Sequence, residues 1–282
     1  MKNILLFGAG KSATVLIDYL LANAIEEGWN LTVVDADLQL AQDKLNHSPF
    51  GKAASFDINN KKELDNYIAN ADIVLSLLPP ALHIVIAKVC IANRKSLLTA
   101  SYVDAEMRSL QEDIEKTDLL FLCEMGLDPG LDHMSAKKII DDILAQGGTI
   151  HSFMSHCGGL VAPESDDNPW HYKVSWNPRN IVMAGKGGST FKQNDEEKTL
   201  DYQQLFAEKR YVEVEDDEIL CWYPNRDSLS YITIYNLPHC PTFIRTTLRH
   251  PDFIYGWKNI IDLKLTDEDA VYETGGKKLR GS

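Results

Sequence analysis

Apolar residues in the first part of the chain occur in short continuous runs that alternate with amphipathic segments. Runs of this kind are typical of strands buried on both faces of a parallel sheet. Six such strands are predicted, at 3–7, 31–35, 53–57, 71–78, 96–100 and 119–123. Helical patterns lie between them, including 64–68, 81–92 and 104–115. The alternation predicts an α/β fold with a doubly wound parallel sheet.

The pattern changes after an amphipathic helix predicted at 134–146, which Gly147 and Gly148 end. Strands are predicted at 149–156 and 189–192, but the regular alternation with helices fades there. Long loops rich in Gly, Pro, Asn and Trp separate these elements. We therefore predict a second, α+β domain built on a mostly antiparallel sheet, which binds the substrate.

The segment 124–133 joins the two patterns. An apolar run leads into it and the amphipathic helix leaves it. Between them, Asp128-Pro129-Gly130 predicts a sharp turn, because Pro fixes φ and Gly accepts a positive φ. The predicted domains are 1–125 and 126–282. A joint between domains is a common place for a site, so we expect this turn to act as hinge and as one wall of the site.

The residues at 8–13 form the motif GAGKSA, directly after the first predicted strand and before a helix. Glycines at these positions let the backbone approach a pyrophosphate, and the helix N-terminus attracts its negative charge. The alternative is a simple glycine turn, but the strand before and the helix after favour a Rossmann dinucleotide site. The predicted cofactor-binding residues of the motif are Gly8, Gly10, Lys11, Ser12 and Ala13.

Asp35 ends the second predicted strand, where a carboxylate accepts the adenine-ribose hydroxyls and repels a 2′-phosphate. The cofactor is therefore predicted to be NAD, with NADP possible. Because ligands of such sheets lie beyond the carboxyl ends of the strands, Leu78, Pro79 and Ser101 are predicted to contact the cofactor. Ser101 and Tyr102, after the fifth strand, are also predicted to hydrogen-bond the substrate.

Composition narrows the possible partners. The 282 residues are enough for two domains, and the net charge of −13 argues against nucleic acid and anionic membranes. The apolar segment 73–92 contains Pro79 and Pro80, so we expect no membrane span there. The five cysteines form no CxxC pair and favour a reducing, cytoplasmic setting. No metal site is predicted.

Several longer motifs occur in order along the chain. They are SLLPPALH at 76–83, GLDPGLDHMSAKKIID at 126–141, HCGGLVAPE at 156–164, YPNRDS at 223–228 and RTTLRHPDF at 245–253. In this order they resemble the saccharopine dehydrogenase (saccharopine reductase) family, above all its L-glutamate-forming members. The resemblance covers roughly residues 1–260. Members of that family continue past this point, so the chain is expected to lack their C-terminal part.

The resemblance implies an NAD(P)-dependent oxidoreductase acting on a CH–NH group, which interconverts saccharopine with glutamate and 2-aminoadipate 6-semialdehyde in lysine metabolism. It also implies a homodimer formed through the sheet of the second domain. Six of the eight arginines lie after residue 150, and arginine suits the capture of carboxylates. The predicted substrate-binding residues are Ser101, Tyr102, Asp128, Cys157, Gly158, Lys173, Arg226 and Arg245.

The catalytic candidates are Asp128, Cys157 and Tyr102, and no single one is chosen as general acid or base. Asp128 either contacts the substrate or only shapes its turn. Cys157 is either a base or a packed thiol beside two glycines. Two other functions stay open. One is a related amine or imine oxidoreductase, such as a lysine 6-dehydrogenase or a carboxyspermidine-type enzyme, and the other is a catalytically silent NAD-binding fragment.

Overall fold

The computed structural model describes residues 1–175, 178–214, 218–274 and 277–280. The chain divides into two compact units, Met1–His133 and Met134–Ser282. This division falls a few residues after the predicted domain boundary, within a helix, because the turn that precedes the helix is hydrogen-bonded to the first unit. The boundary at residue 125 stays a prediction.

A six-stranded parallel sheet forms the first unit. Its strands are β1 Lys2–Phe7, β2 Trp29–Val34, β3 Gly51–Ala54, β4 Ile73–Ser76, β5 Ser96–Thr99 and β6 Phe121–Leu122. Its helices are α1 Thr14–Ala22, α2 Ala24–Glu27, α3 Leu38–Leu45, α4 Lys61–Ala69, α5 Pro80–Ala92, α6 Ala105–Arg108 and α7 Gln111–Lys116. The strand order β3-β2-β1-β4-β5-β6 is that of a dinucleotide-binding Rossmann sheet.

Strand β1 shows why its apolar run is continuous. Ile4 and Leu6 pack into one apolar cluster, and Leu5 and Phe7 pack into another. Successive side chains of a strand point to opposite faces, so both faces of the sheet are buried. The predicted α/β fold with a doubly wound parallel sheet is confirmed.

The limits of some predicted elements shift. The third strand lies at Gly51–Ala54 rather than 53–57, and the sixth has only the two residues Phe121–Leu122. The helix predicted at 104–115 is two short helices, because the chain bends between Arg108 and Gln111. Helix α3 was not predicted, since its sequence LQLAQDKL is short and half of its residues are polar.

The second unit contains a seven-stranded, mostly antiparallel sheet, as predicted. Its strands are β7 Ser152–Cys157, β8 Ser189–Gln193, β9 Glu196–Leu200, β10 Arg210–Glu213, β11 Ile219–Pro224, β12 Arg226–Asp227 and β13 Thr242–Arg249. A separate antiparallel pair consists of β14 Val271–Thr274 and β15 Lys277–Arg280. Its helices are α8 Leu131–Ala145, which begins in the first unit, α9 Pro178–Val182, α10 Tyr202–Leu205, α11 Leu229–Ile234 and α12 Pro251–Asp262.

Strand β13 is the central element of this second sheet. It pairs antiparallel with β11 and parallel with β7, which sets Cys157 beside Thr247. Phe243 of β13 is fully buried and stacks on Phe153 of β7 with ring centroids 4.5 Å apart. Within the described ranges, no helix combines the length and apolar character that crossing a membrane requires.

Candidate functional site

The glycine loop after β1 adopts the backbone that the motif predicts. Gly8 has φ +100°, and a Cβ on it would lie 3.0 Å from the carbonyl oxygen of Leu77. Gly10 then caps a short 3₁₀ turn, Lys11–Ala13, that leads into α1. The side chain of Ala13 is fully buried in the core. The loop therefore offers exposed backbone at a helix N-terminus, which suits a pyrophosphate.

Asp35 lies beside the same loop. Its Oδ2 accepts a hydrogen bond from the backbone N–H of Ala9 at 2.7 Å, and its Oδ1 accepts one from Asp37 N–H at 3.0 Å. The carboxylate is therefore fixed at the carboxyl end of β2, next to the glycine loop. A carboxylate in this place can accept ribose hydroxyls and repel a phosphate at the ribose 2′ position.

The remaining predicted residues of the first unit lie at the carboxyl edge of the sheet. Leu78 and Pro79 follow β4 and lead into α5, while Ser101 and Tyr102 follow β5. In a parallel sheet these ends share one edge with the glycine loop. The structure thus brings the predicted cofactor residues of the first unit to one side of the sheet.

The turn after β6 is attached to this edge by backbone hydrogen bonds. Glu124 N–H donates to Ser101 O at 3.0 Å, and Met125 N–H donates to Thr99 O at 3.0 Å. The Asp128–Pro129 peptide bond is cis. Gly130 has φ +152°, and a Cβ on it would lie 2.1 Å from Gly126 O, so only glycine fits.

Tyr102 and Asp128 form the closest polar pair among the catalytic candidates. The Tyr102 hydroxyl donates to Asp128 Oδ1 at 2.6 Å, and both residues are half-buried. This hydrogen bond joins the end of β5 to the turn. A phenol and a carboxylate in this arrangement can hold or pass on a proton, which is the chemistry predicted for both residues.

Asp132 and His133 lie near this pair. Ligand atoms of Asp128, Asp132 and His133 lie within 4.8 Å of one another. However, Asp128 accepts the Tyr102 hydroxyl, and Asp132 Oδ1 accepts Gly130 N–H at 2.9 Å. A carboxylate that accepts a hydrogen bond can still bind a cation, so these contacts do not decide about a metal, and we assign none to this cluster.

A buried histidine at the same edge was not among the predicted site residues. His83 of α5 has Nδ1 2.9 Å from Ser76 Oγ and Nε2 2.8 Å from Ser101 Oγ. Burial lowers the pKa of His83, and the nearby Asp104 carboxylate opposes this effect. The sequence signal was a single histidine within an apolar helix, which usually indicates no more than a satisfied core residue.

In the second unit, Cys157 ends β7 and Gly158 follows it. Both are half-buried, and a Cβ on Gly158 would lie 2.4 Å from Leu248 O. The preceding His156 has Nδ1 2.6 Å from Thr246 Oγ1 of β13. Cys157 is thus held in the sheet by the pairing of β7 with Thr247 of β13, and its role stays a prediction.

The predicted cations of the second unit differ in exposure. Arg226 and Lys173 are exposed, and Lys173 pairs with Asp167 at 2.9 Å. Arg245 is only 3% exposed, and its guanidinium lies 4.4 Å from the centre of the Tyr231 ring. Arg226 and Lys173 are therefore accessible to a dissolved ligand, whereas Arg245 packs in the interior. Their substrate contacts stay predictions.

A cavity of about 470 Å³ lies in the first unit near the amino ends of β1, β2 and β3. Asn3, Asn30, Lys52, Asn66 and Tyr67 are among the residues that line it. Ligands of doubly wound sheets bind beyond the carboxyl ends, so the position of this cavity does not fit the predicted chemistry. We assign it no role in the site.

Two family models match successive parts of the chain. The family model described as "Saccharopine dehydrogenase NADP binding domain" matches residues 4–122. The one described as "Saccharopine dehydrogenase C-terminal domain" matches residues 126–276.

Two curated relatives are similar over nearly all of the chain. Saccharopine dehydrogenase [NADP(+), L-glutamate-forming] of Saccharomyces cerevisiae is 36% identical over 95% of the chain, which spans 59% of that protein. Mitochondrial alpha-aminoadipic semialdehyde synthase of Bos taurus is 34% identical over 95% of the chain, which spans 29% of that protein. The chain thus spans less than two thirds of each of these relatives.

Two solved structures are also similar to the chain over most of its length. The apo saccharopine dehydrogenase (L-Glu forming) of Saccharomyces cerevisiae aligns with a TM-score of 0.86 and 36% identity, over 96% of this chain and 60% of that one. The homospermidine synthase of Legionella pneumophila aligns with a TM-score of 0.61 and 11% identity, over 93% of this chain and 69% of that one. At that identity the second likeness concerns the fold alone.

Alanine substitutions at Gly8 and Gly10 separate an effect on stability from an effect on cofactor binding. Gly8→Ala should lower the free energy of unfolding by about 1–2 kcal/mol, because its φ is positive and its Cβ meets Leu77. Gly10→Ala should change it by less than about 0.5 kcal/mol, since nothing lies within 4 Å of its Cβ. Gly10→Ala should nevertheless weaken NAD binding about tenfold or more, because the methyl group occupies the path of the pyrophosphate.

Urea unfolding and calorimetric titration with NAD measure the two effects separately. Unchanged NAD affinity in Gly10→Ala would show that the loop is only a turn.

Proposed function

Because the chain belongs to the saccharopine dehydrogenase family, we propose that it carries the site of a nicotinamide-dependent oxidoreductase that acts on saccharopine. The observation that carries this proposal is the Tyr102–Asp128 hydrogen bond of 2.6 Å at the carboxyl edge of the Rossmann sheet. It attaches the GLDPG turn at 126–130 to the strand end where the nicotinamide and the substrate are expected to meet. The activity of the longer relatives is extended to this chain as a proposal.

The reaction removes a hydride from the carbon next to the secondary amine of saccharopine. The nicotinamide cofactor, when bound, accepts that hydride. The amine must first be neutral, so one proton has to leave it. The resulting imine takes up water and splits into glutamate and 2-aminoadipate 6-semialdehyde, and a second proton transfer accompanies this step.

Tyr102 and Asp128 are proposed to accept and donate these protons as a pair. The Tyr102 hydroxyl donates to the Asp128 carboxylate, so a proton can pass between the two groups along this hydrogen bond. Such a pair can take a proton from the amine and return one when the imine is hydrolysed. Cys157 remains a further candidate for contact with the substrate.

Saccharopine carries several carboxylates, which need cations in a chain of net charge −13. Arg226 is proposed as the main carboxylate ligand, because it is exposed and its planar guanidinium can donate two parallel hydrogen bonds. Lys173 is the second cation of this kind. Arg245 is proposed to contribute less to carboxylate binding, since its guanidinium is buried against Tyr231.

Hydride transfer from saccharopine to NAD, followed at the absorbance of NADH, tests the activity itself. Tyr102→Phe and Asp128→Asn should each lower kcat by about 10²-fold or more, because each removes one partner of the proton-sharing pair. Tyr19→Phe and Asp18→Asn change exposed residues of α1 and should have no effect. A chain that binds NAD without turnover would support the silent fragment instead.

Cofactor choice follows from Asp35. The carboxylate beside Ala9 N–H should favour NAD over NADP by about tenfold or more in kcat/KM, because it repels a 2′-phosphate. Asp35→Ser should move this ratio toward NADP, while Asp18→Ser should leave it unchanged. The printed name of the yeast relative specifies NADP(+), so a clear NADP preference of the unaltered chain would contradict our assignment.

Arg226→Ala separates saccharopine from a diamine substrate. Removing the guanidinium should raise KM for saccharopine about tenfold or more, because a carboxylate loses its ion pair. A diamine lacks that carboxylate and should be little affected. Arg179→Ala, which removes an exposed arginine paired with Glu268, is the matched control. Equal effects on both substrates would favour a lysine 6-dehydrogenase or carboxyspermidine-type activity.

The proposal includes a cytoplasmic homodimer. The five cysteines are free thiols, which agrees with a reducing compartment. The dimer rests on the family resemblance and would use the sheet of the second unit. Sedimentation should show a species of twice the mass of the 31.7 kDa chain. A single monomeric species at high concentration would contradict it.

A further inference from the structure

Ser76, His83 and Ser101 form a chain of hydrogen bonds at the carboxyl edge of the first sheet. Ser76 ends β4 and is fully buried, and His83 of α5 is 5% exposed. The ring lies between two hydroxyls, with Nδ1 2.9 Å from Ser76 Oγ and Nε2 2.8 Å from Ser101 Oγ. Ser101 follows the adjacent strand β5 and is only half-buried. The chain thus leads from the core to the edge where ligands bind.

Burial favours the neutral form of the His83 imidazole. Burial lowers the pKa of His83 from its usual value near 6.5, and the Asp104 carboxylate offsets this only in part. A neutral imidazole donates from one nitrogen and accepts at the other. The two possible tautomers therefore give the chain opposite directions.

The fully buried hydroxyl of Ser76 decides between them. Within the described residues, His83 Nδ1 is the partner of Ser76 Oγ. If Nδ1 carried the hydrogen, the buried Ser76 O–H would have no acceptor, and such a loss is unfavourable. Ser76 therefore donates to Nδ1, and the hydrogen of the ring is on Nε2.

This direction determines what Ser101 can offer. Nε2–H donates to Ser101 Oγ, so the hydroxyl hydrogen of Ser101 is not used by His83. It is left for an acceptor on the outer side. Donation into an oxygen also polarises its O–H group and strengthens the bond that it donates in turn.

We propose that His83 is a positioning residue that, together with Ser76, sets Ser101 as a hydrogen-bond donor to a carboxylate oxygen of the bound substrate. This rests on the proposed function for the identity of the ligand. The direction of the hydrogen bonds from Ser76 through His83 to Ser101, however, does not depend on which ligand binds. His83 contacts neither substrate nor cofactor and acts through Ser101.

The tautomer is measured directly, without any ligand or activity. Long-range ¹H–¹⁵N spectra of the full chain with labelled histidine distinguish Nε2–H, Nδ1–H and the doubly protonated ring. The spectrum of His83→Gln assigns the signal among the eight histidines. We expect a neutral ring with the hydrogen on Nε2. A ring protonated on Nδ1, or on both nitrogens, at pH 7 overturns the proposal.

The effect on the ligand is tested by a double-mutant cycle. His83→Leu and Ser101→Ala should each raise the Kd for saccharopine, measured by calorimetry with NADH present, by about tenfold. The double variant should be no weaker than the single ones, because His83 acts through Ser101. His83→Gln should restore most of the affinity, since its amide N–H replaces Nε2–H. Additive losses, or a Gln variant as weak as Leu, overturn the positioning role.

Failure of the two proposals can be told apart. If the unaltered protein has His83 with its hydrogen on Nε2 but does not bind saccharopine, the proposed function is contradicted. The direction of the hydrogen bonds from Ser76 to Ser101 is then still supported. An Nδ1–H ring in a chain that oxidises saccharopine contradicts the present inference alone.

Discussion

The parallel register of β1, β4 and β5 is the constraint on which the site of the first unit depends. It sets Phe7 beside Ser76 and Ser76 beside Thr99, so three strands end at one edge. Each strand therefore delivers its following loop to the same side of the sheet. The glycine loop, the start of α5 and the Ser101-Tyr102 segment come together for this reason, although they are far apart in the sequence.

The turn at 124–130 is added to this edge by hydrogen bonds rather than by a strand. Its backbone bonds to Ser101 and Thr99, and Asp128 accepts the hydroxyl of Tyr102. Through these bonds the position of a family motif is determined by the end of β5. A polar network of this kind keeps its geometry only if each member has its hydrogen-bond partners. The buried Ser76 and His83 therefore affect the hydrogen bond that Ser101 can offer to a ligand.

Much of the first unit could be predicted from the sequence, because its signals are local. Strand β1 is a continuous apolar run, since both of its faces are buried, and Gly8 is required by a positive φ next to Leu77. Asp35 was predicted from its position at the end of a strand, and the structure holds it by the N–H of Ala9. These features need only the order of residues within one βαβ unit.

The second unit was predictable only as a class. Strand β13 pairs with β7, β8 and β11, which lie far from it in sequence, and such non-local pairing leaves little trace in the periodicity. Arg245 looked like a carboxylate ligand by its type, and its burial against Tyr231 depends on packing. His83 was overlooked for the same reason, because its partners Ser76 and Ser101 meet it only in the folded sheet.

We propose that Tyr102 and Asp128, at the carboxyl edge of the first sheet, hold the reacting part of the substrate. A crystal structure of the protein with NAD and saccharopine would test this placement. We expect the Tyr102 hydroxyl or the Asp128 carboxylate within hydrogen-bond distance of the secondary amine, with the nicotinamide C4 facing the adjacent carbon. A secondary amine bound away from both residues would contradict the account.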